Sequence, residues 1–555
     1  MKPRISPLLL FVSVGICHAS DPFESRSTNP KDYDPEALRK ELIEYLRTTD
    51  DVIPKTPPIH PKHYISNPEA PIPPQCYTRH EARHNPCFVC HQDTIEGREN
   101  VMNDGDLQRD YSFSDLGLTN HWNNLLEDRT GRIAKISDEE ILGYIGEDNY
   151  TELPGRLKEA GFKGWIPDLK NLQLGAGAFD ENGFAKDGSG WVSFNYKPMP
   201  STFWPTNGST DDVMIRMGEP FRTDAEGAPS SDIYRANLAI LEAKIKGLDA
   251  ITCLPVDEVI VNADLDGNGE LGTATKITKL DSWVGPAAGS FIDSHIYPQG
   301  TEFLHTVRYV GVGPGDEIGV STRMKEVRYM LKAKAYPKQV YARRYEEESF
   351  EKEAGNTPGY ISLGGYGFDN GSGWAISGFI ENAKGRLRAL TYEENFSCMG
   401  CHNSIGSTID KTFSFARKVD GAKGWGYINL KRMPDAPSKG DETGEIATYM
   451  ARVGGGSEFR NNDEMLARWF TNGRLDRVKL SEARDVYDLL APSPERALAL
   501  NKAYRCIVED QDFIYGKDAT ITPPNNVYDK IDNDDTPTLP ESRTFRYNIV
   551  LDWPE

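Results

Sequence analysis

The residues best suited to chemistry in this sequence form two pentapeptides, Cys-Phe-Val-Cys-His at 87–91 and Cys-Met-Gly-Cys-His at 398–402. Both have the spacing C-x-x-C-H, which is the attachment signature of c-type haem. Two thiols at this spacing reach one edge of a porphyrin and form thioethers with its vinyl groups, and the adjacent histidine reaches the iron from the proximal side. The pattern therefore predicts two covalently bound haem c groups, with His91 and His402 as proximal iron ligands. The predicted cofactor-binding residues are Cys87, Cys90, His91, Cys398, Cys401 and His402.

Other uses of paired cysteines fit this pattern less well. A structural zinc site takes four ligands, usually from two paired clusters, whereas each pentapeptide offers three. A thioredoxin-like C-x-x-C needs a βαβ context that neither site shows, and an ordinary disulfide does not require a histidine after the second cysteine. Cys76, Cys253 and Cys506 leave room for one disulfide and one spare thiol in an oxidising compartment, and the sequence does not choose the pair.

The first 20 residues have the features of a secretory signal peptide. Lys2 and Arg4 precede an apolar run, and Ala19 closes it with a small side chain, so we expect residues 1–19 to be removed. Cys17 raises the alternative of a lipid anchor, but the residue before it is Ile16, where a lipobox has a small side chain. The leader predicts an exported protein in the periplasm or the extracellular space, the side of the membrane on which haem c is attached.

Two C-x-x-C-H motifs behind an export signal make the chain similar to the dihaem c-type cytochromes. The resemblance covers only the two pentapeptides and the leader. It implies electron transfer through two covalently bound haems. The alternative is a haem-dependent oxidoreductase, because dihaem peroxidases and dihaem oxygenases also carry two such motifs and keep one iron site open. For that alternative the sequence identifies no catalytic residue.

Composition excludes several classes of protein. The chain has 555 residues, of which 38% are hydrophobic and 26% charged, and its formal net charge is −21. This negative balance opposes binding to nucleic acid or to anionic lipid. After residue 20 no apolar run approaches the roughly 20 residues that cross a bilayer. The partners expected from the resemblance are therefore redox proteins with basic docking surfaces, and no transmembrane segment is expected.

The distal ligand of each iron determines whether the metal is closed or open to small molecules. His80 and His84 stand four residues apart just before the first motif. His305 lies in a segment whose strand alternation places it on an apolar face. Met433 precedes a proline, as in the Met-Pro ligand segment of small Met/His cytochromes. These four residues are the distal candidates, and each has an alternative as a hydrogen-bonded or core residue.

A second motif predicts a calcium site. Residues 264–270 read Asp-Leu-Asp-Gly-Asn-Gly-Glu, which matches the first half of an EF-hand-type loop. Position twelve is Thr275 instead of a bidentate glutamate, so affinity should be weak. The alternative is a plain turn rich in Asp, Asn and Gly. The candidate calcium ligands are Asp264, Asp266, Asn268 and Glu270.

Hydrophobic periodicity predicts an α+β protein, with mainly helical haem c modules flanking a β-rich middle domain and a helical C-terminal region. Helices are predicted at 35–47, 231–246 and 494–509, among others. Residues 190–200 and 424–434 are identical at six of eleven positions and form a short internal repeat. The expected boundaries are 1–19 for the signal peptide, 20–75 for an N-terminal helix and Pro-rich connector, 76–173 for the first haem c module, 174–345 for the β-rich middle domain, 346–440 for the second haem c module and 441–555 for the C-terminal region and tail.

Overall fold

The computed structural model describes residues 21–24, 26–65, 67–93, 103–354, 356–357 and 359–554. The predicted signal peptide and Cys17 lie outside these residues. The strands of the described part are β1 (Val192–Ser193), β2 (Thr210–Arg216), β3 (Ile251–Asp257), β4 (Thr273–Ile277), β5 (Glu302–Val312), β6 (Ile318–Lys332), β7 (Ile361–Ser362), β8 (Phe368–Asp369), β9 (Trp374–Glu381), β10 (Leu387–Ala389), β11 (Phe470–Thr471) and β12 (Arg474–Leu475).

Helices surround the strands. They are α1 (Pro35–Thr48), α2 (Leu107–Asp110), α3 (Thr130–Ile133), α4 (Asp138–Gly146), α5 (Leu153–Glu159), α6 (Ser231–Lys246), α7 (Glu258–Val261), α8 (Lys338–Glu353), α9 (Tyr392–Phe396), α10 (Glu445–Val453), α11 (Asp463–Trp469), α12 (Arg477–Leu480), α13 (Val486–Leu490) and α14 (Pro494–Asp510). The three long predicted helices are present as α1, α6 and α14. Each has a side-chain N-cap, from Asp34, Ser230 and Ser493 respectively, which satisfies a backbone N–H of the first turn.

Within the described residues, one antiparallel sheet of eight strands forms the centre of the molecule, in the order β1-β2-β5-β6-β9-β8-β7 with β10 paired to β9. Because side chains alternate along a strand, the sheet has two different faces. One face packs Met214, Leu304, Val327 and Phe379 against α5 in a buried apolar core. The opposite face lines an internal cavity. Its lining side chains are Asp211, Val213, Phe303, His305, Val307, Glu326, Arg328, Met330 and Ile376.

A β-bulge interrupts the alternation of side chains along β6 where it pairs with β5. Val307 pairs with Glu326, but the next residue, Arg308, pairs with Met324, so Lys325 is an extra residue on β6. A bulge of this kind re-aims a side chain. As a result, consecutive residues Lys325 and Glu326 both line the cavity.

The expected arrangement of helical haem c modules around a β-rich middle domain is wrong. Strands β7 to β10 occupy 361–389, inside the expected second haem module, and they complete the same sheet as β2, β5 and β6. Around the first motif the described chain forms short 3-10 turns and the one-turn helix α2. The physical reason is non-local pairing, because residues 374–380 pair with 326–332 across a long stretch of sequence. The fold is α+β, but it is built on one continuous sheet.

The C-terminal tail is ordered against the rest of the chain, although its sequence has little patterning. Val527 forms an antiparallel bridge with Thr78, and Lys530 forms one with Thr119. The tail therefore covers the region of the first motif. Across the part of the chain that the structure describes, every helix is too short or too polar to pass through a membrane.

Candidate functional site

Both C-x-x-C-H motifs line one internal cavity of about 480 Å³. This volume lies within the range of about 300–1,000 Å³ that is typical of ligand sites. The cavity is bounded by the sheet face described above and by the Pro-rich strap at 70–76. The strap is held by Trp122, whose indole N–H donates to the carbonyl of Ile72 at 2.8 Å. Two motifs that are far apart in sequence thus share a single chamber.

The first motif forms a tight turn. Cys87–Val89 is a 3-10 turn, and the backbone N–H groups of Cys90 and His91 donate to the carbonyl of Cys87 at 3.1 and 2.9 Å. Phe88 is buried and packs edge-on against Phe545 of the tail, with ring centroids 5.4 Å apart. Phe88 therefore anchors the turn, while Val89 and both cysteines line the cavity.

The second motif follows helix α9, which begins with a capping box between Thr391 and Glu394. Its backbone repeats the turn of the first motif, and the N–H of His402 donates to the carbonyl of Cys398 at 3.1 Å. Gly400 lies against the strap, because a Cβ there would come within 2.5 Å of the Pro71 carbonyl oxygen. A larger residue would push the motif off the strap.

Each motif histidine has its Nδ1 atom engaged by an acceptor. His91 Nδ1 lies 2.9 Å from Asp104 Oδ2, and His402 Nδ1 lies 2.8 Å from the carbonyl oxygen of Lys411. An acceptor at Nδ1 places the ring proton there and leaves Nε2 unprotonated as a possible metal ligand. Burial lowers the pKa of His402 to about 4, so this ring is neutral at pH 7.

Asp104 also joins the two motif regions. Its Oδ1 accepts the backbone N–H groups of Gln92 and Gly406, both at 2.9 Å. A Cβ at Gly406 would lie 2.3 Å from that oxygen, so only glycine fits. Next to it, Ser407 N–H donates to the Cys90 carbonyl at 3.1 Å. The loop after the second motif is therefore docked on the first motif through one buried carboxylate.

The four motif thiols are protonated at neutral pH. Burial raises the pKa of Cys401 to about 11 and raises the pKa values of Cys87, Cys90 and Cys398 as well. The first cysteine of each motif contacts a polar side chain outside the motif. Cys87 Sγ lies 3.0 Å from His80 Nε2, and Cys398 Sγ donates to Asn395 Oδ1 at 3.6 Å.

The distal candidates lie in different places. His305 lines the cavity, with its Nε2 3.2 Å from Asp211 Oδ2. His80 is fully buried against Tyr111, and burial lowers its pKa to about 3. For His84, too, burial lowers the pKa, to about 4, and the ring lies 3.6 Å from Glu81.

Met433 is buried in the main apolar core instead of on the cavity wall, whereas Met199 lines the cavity. These two methionines occupy the same position in the internal repeat. The repeat segments also contact each other, since Phe194 forms an antiparallel bridge with Trp425. The repeat was thus the signal that could have identified Met199, which sequence reasoning missed together with Asp104.

Among the described residues, the group of side chains that could surround a metal ion is Glu258, Asp264 and Asp266, with carboxylate oxygens within 4.8 Å of one another. Asp264 pairs with Lys279 at 2.7 Å, and Asn268 donates to Asp266 at 3.0 Å.

Glu270 is exposed in the same loop. Elsewhere in the chain, Cys253 and Cys506 are buried thiols on β3 and α14 and do not pair with each other.

Comparison with known proteins identifies relatives but no structural counterpart. A family model described as "-like lipoprotein" matches residues 59–483. A protein of Aquifex aeolicus (strain VF5) named "Uncharacterized lipoprotein" is 30% identical over 548 residues, covering 87% of this chain and 92% of the relative. No solved structure matches the chain.

These matches overturn the dihaem c-type cytochrome assignment, because both descriptions are of lipoproteins. Electron transfer and the haem-dependent oxidoreductase alternative, peroxidase or oxygenase, are therefore wrong as functional assignments. The redox partners expected from them lose their support. Export is confirmed in its general form, since a lipoprotein is an exported protein.

Proposed function

The chain belongs to this lipoprotein family, and we propose that it is an exported member that attaches two haem c groups at two motifs lining one cavity. One observation carries the proposal: two C-x-x-C-H motifs, at 87–91 and 398–402, line the same chamber. The spacing suits a double thioether, and the chamber offers an apolar wall beside both motifs. The proposal concerns the cofactor and assigns no reaction to it.

The residues of the chain have separate roles in this proposal. The four motif cysteines supply the thiols that add to vinyl groups. His91 and His402 supply Nε2 to iron, each oriented through its Nδ1 by Asp104 or by the Lys411 carbonyl. When bound, haem supplies an iron centre whose properties follow its axial ligands and surroundings. Among the distal candidates, His305 is favoured because it lines the cavity.

Intact-mass measurement of the purified, exported protein tests the proposal. We expect a mass increase of two haem groups that survives denaturation. The double variant Cys87→Ala/Cys90→Ala should retain one haem, and so should Cys398→Ala/Cys401→Ala. The matched control is Cys253→Ala, a buried thiol outside the cavity, which should retain two. A wild-type protein matured in a haem-attaching host with no covalent haem would overturn the proposal.

The finer location is a further part of the proposal. Membership of a lipoprotein family favours a lipid on Cys17, so that the mature chain is held at a membrane while facing the periplasm or the exterior. Cys17→Ser should then move the protein from the membrane fraction to the soluble fraction. A wild-type protein that is soluble and begins at Ser20 would refute the anchor and favour simple cleavage after Ala19.

A further inference from the structure

The cavity has a second feature built for a ligand, beside the second motif. It consists of Glu326 and Arg328 on β6 and Lys517 in the C-terminal region, all of which line the chamber. We propose that this group, called here the Arg328–Lys517 site, binds a small carboxylate or oxyanion. The proposal deepens the proposed function. Of the two measurements that test it, only the one on the haem carboxylates requires that haem is attached.

Two cations share one carboxylate at this site. The Nε and Nη2 atoms of Arg328 each donate to Glu326 at 3.0 Å, and Lys517 Nζ donates to the same carboxylate at 3.3 Å. Within the described chain, Nη1 of Arg328 has no hydrogen-bond acceptor, and Lys517 uses one of its three donors. Unused donors on two cations at a cavity wall are suited to an anion.

The two cations keep the carboxylate between them ionised. Burial opposes ionisation of Glu326, yet Arg328 and Lys517 lower the pKa of Glu326 to about 2, so this carboxylate is ionised at neutral pH. Asp518 also lines the cavity; burial raises its pKa to about 6, and among the described residues it makes no hydrogen bond to either cation. The donors that Arg328 and Lys517 do not use on Glu326 therefore stay open to a ligand in the cavity.

The neighbouring cation, Lys325, already has hydrogen-bond partners within the protein. Lys325 donates to the Gly208 carbonyl at 2.6 Å and to Ser209 Oγ at 3.2 Å. Burial lowers the pKa of Lys325 to about 7. The positive charge open to a ligand therefore belongs to Arg328 and Lys517.

A second, more polar cavity adjoins the site. A smaller cavity of about 250 Å³ adjoins the main one and shares Gln75, Thr202, Asn207 and Asp518 with it. Hydroxyl and amide groups predominate in its lining, so a hydrated anion would find hydrogen-bond partners along it. The anion at the site has two possible sources, a free small oxyanion or the carboxylate of an attached haem.

The test uses the exported protein as purified, with the substitution Lys517→Met. Glu326 keeps its bidentate bond to Arg328 in this variant, so folding should be retained. The control is Lys431→Met, since Lys431 is 46% exposed and pairs with Glu317. Calorimetric titration with acetate and with inorganic phosphate, at constant ionic strength, measures free anions. Resonance Raman spectra of the haem propionate bending band measure the haem carboxylates.

If the anion is free, the wild type binds acetate or phosphate at a single site, and Lys517→Met raises the Kd at least about tenfold while the control does not. If it is the haem carboxylate, free anions do not bind, and the propionate band shifts in Lys517→Met alone. The proposal is overturned if neither measurement responds to Lys517→Met. A protein without haem would refute the proposed function but leave the calorimetric arm decisive.

Discussion

Replacing Asp104 by asparagine tests whether this carboxylate keeps Nε2 of His91 unprotonated and able to bind iron. Three donors point at this buried carboxylate at 2.9 Å, His91 Nδ1 on one oxygen and the N–H groups of Gln92 and Gly406 on the other. Asparagine has the same shape but only one acceptor oxygen. If that oxygen keeps the two backbone donors, its NH₂ group faces His91. The ring proton must then move to Nε2, the nitrogen that the iron requires.

The size of the expected pH shift follows from the competition between protons and iron for His91 Nε2. Loss of an outer-shell partner of a metal-bound histidine typically costs about 10–100-fold in metal affinity. Protons and iron compete for Nε2, and a tenfold change in affinity corresponds to about one pH unit. In Asp104→Asn we therefore expect acid to release His91 at a pH about 1–2 units higher than in the wild type.

Absorption spectra recorded during an acid titration measure this release. The transition of the first site is identified by its loss in Cys87→Ala/Cys90→Ala. Asp93→Asn is the matched control, because Asp93 is two residues beyond the motif and its side chain is 46% exposed. A midpoint that moves no further in Asp104→Asn than in the control would refute the reasoning. Gly406→Ala should disturb the same contact, because the new Cβ would clash with the Asp104 carboxylate.

Three further predictions concern stability. Arg417 is fully buried and makes a bidentate pair with Glu445 at 2.6 Å, so Arg417→Met should cost about 3–5 kcal/mol in denaturant unfolding. Burial raises the pKa of Glu381 from 4.5 to about 7, so the folded state holds this proton where the unfolded state has lost it. The stability that protonated Glu381 contributes is complete below pH 4.5 and is lost as pH rises through 7. Glu381→Gln should therefore flatten the pH dependence of the unfolding free energy between these values. Millimolar calcium should raise the Tm only slightly, because Lys279 occupies the place of an ion beside Asp264, and more in Lys279→Ala.

Each of these predictions has a control or a contrary outcome. Arg484 forms an exposed pair with Asp488, so Arg484→Met should destabilise the protein far less than Arg417→Met. Equal losses at the buried and exposed pairs would contradict the first prediction. An unchanged pH slope in Glu381→Gln would contradict the second. If calcium leaves the Tm unchanged in both the wild type and Lys279→Ala, the 264–270 loop is a plain turn, which would contradict the third prediction.

Helices were predictable where the signals are local. The helix predicted at 35–47 is present as α1, and those at 231–246 and 494–509 are present as α6 and α14. Each combines a polar N-cap with an apolar stripe, and both signals lie within one short segment of chain. Such elements can be read from the sequence without knowledge of their neighbours.

The sheet was not predictable in the same way. Sequence patterning places strand β9 in a separate haem module, because nothing near it in sequence indicates that its partner is β6. The bulge at Lys325 depends on the register between β5 and β6, and it decides which charged side chains face the cavity. The shape of the chamber therefore depends on pairing between segments that are distant in sequence.

The two motifs illustrate the same limit within the site. Spacing alone selected His91 and His402, because the chemistry of a C-x-x-C-H motif is contained in five residues. Their acceptors lie outside the motifs, and the Lys411 carbonyl has no sequence signature because every residue carries one. The fold thus gives His91 a carboxylate and His402 a neutral carbonyl. A charged acceptor makes the imidazole a stronger donor, so two motifs of identical pattern should bind iron unequally.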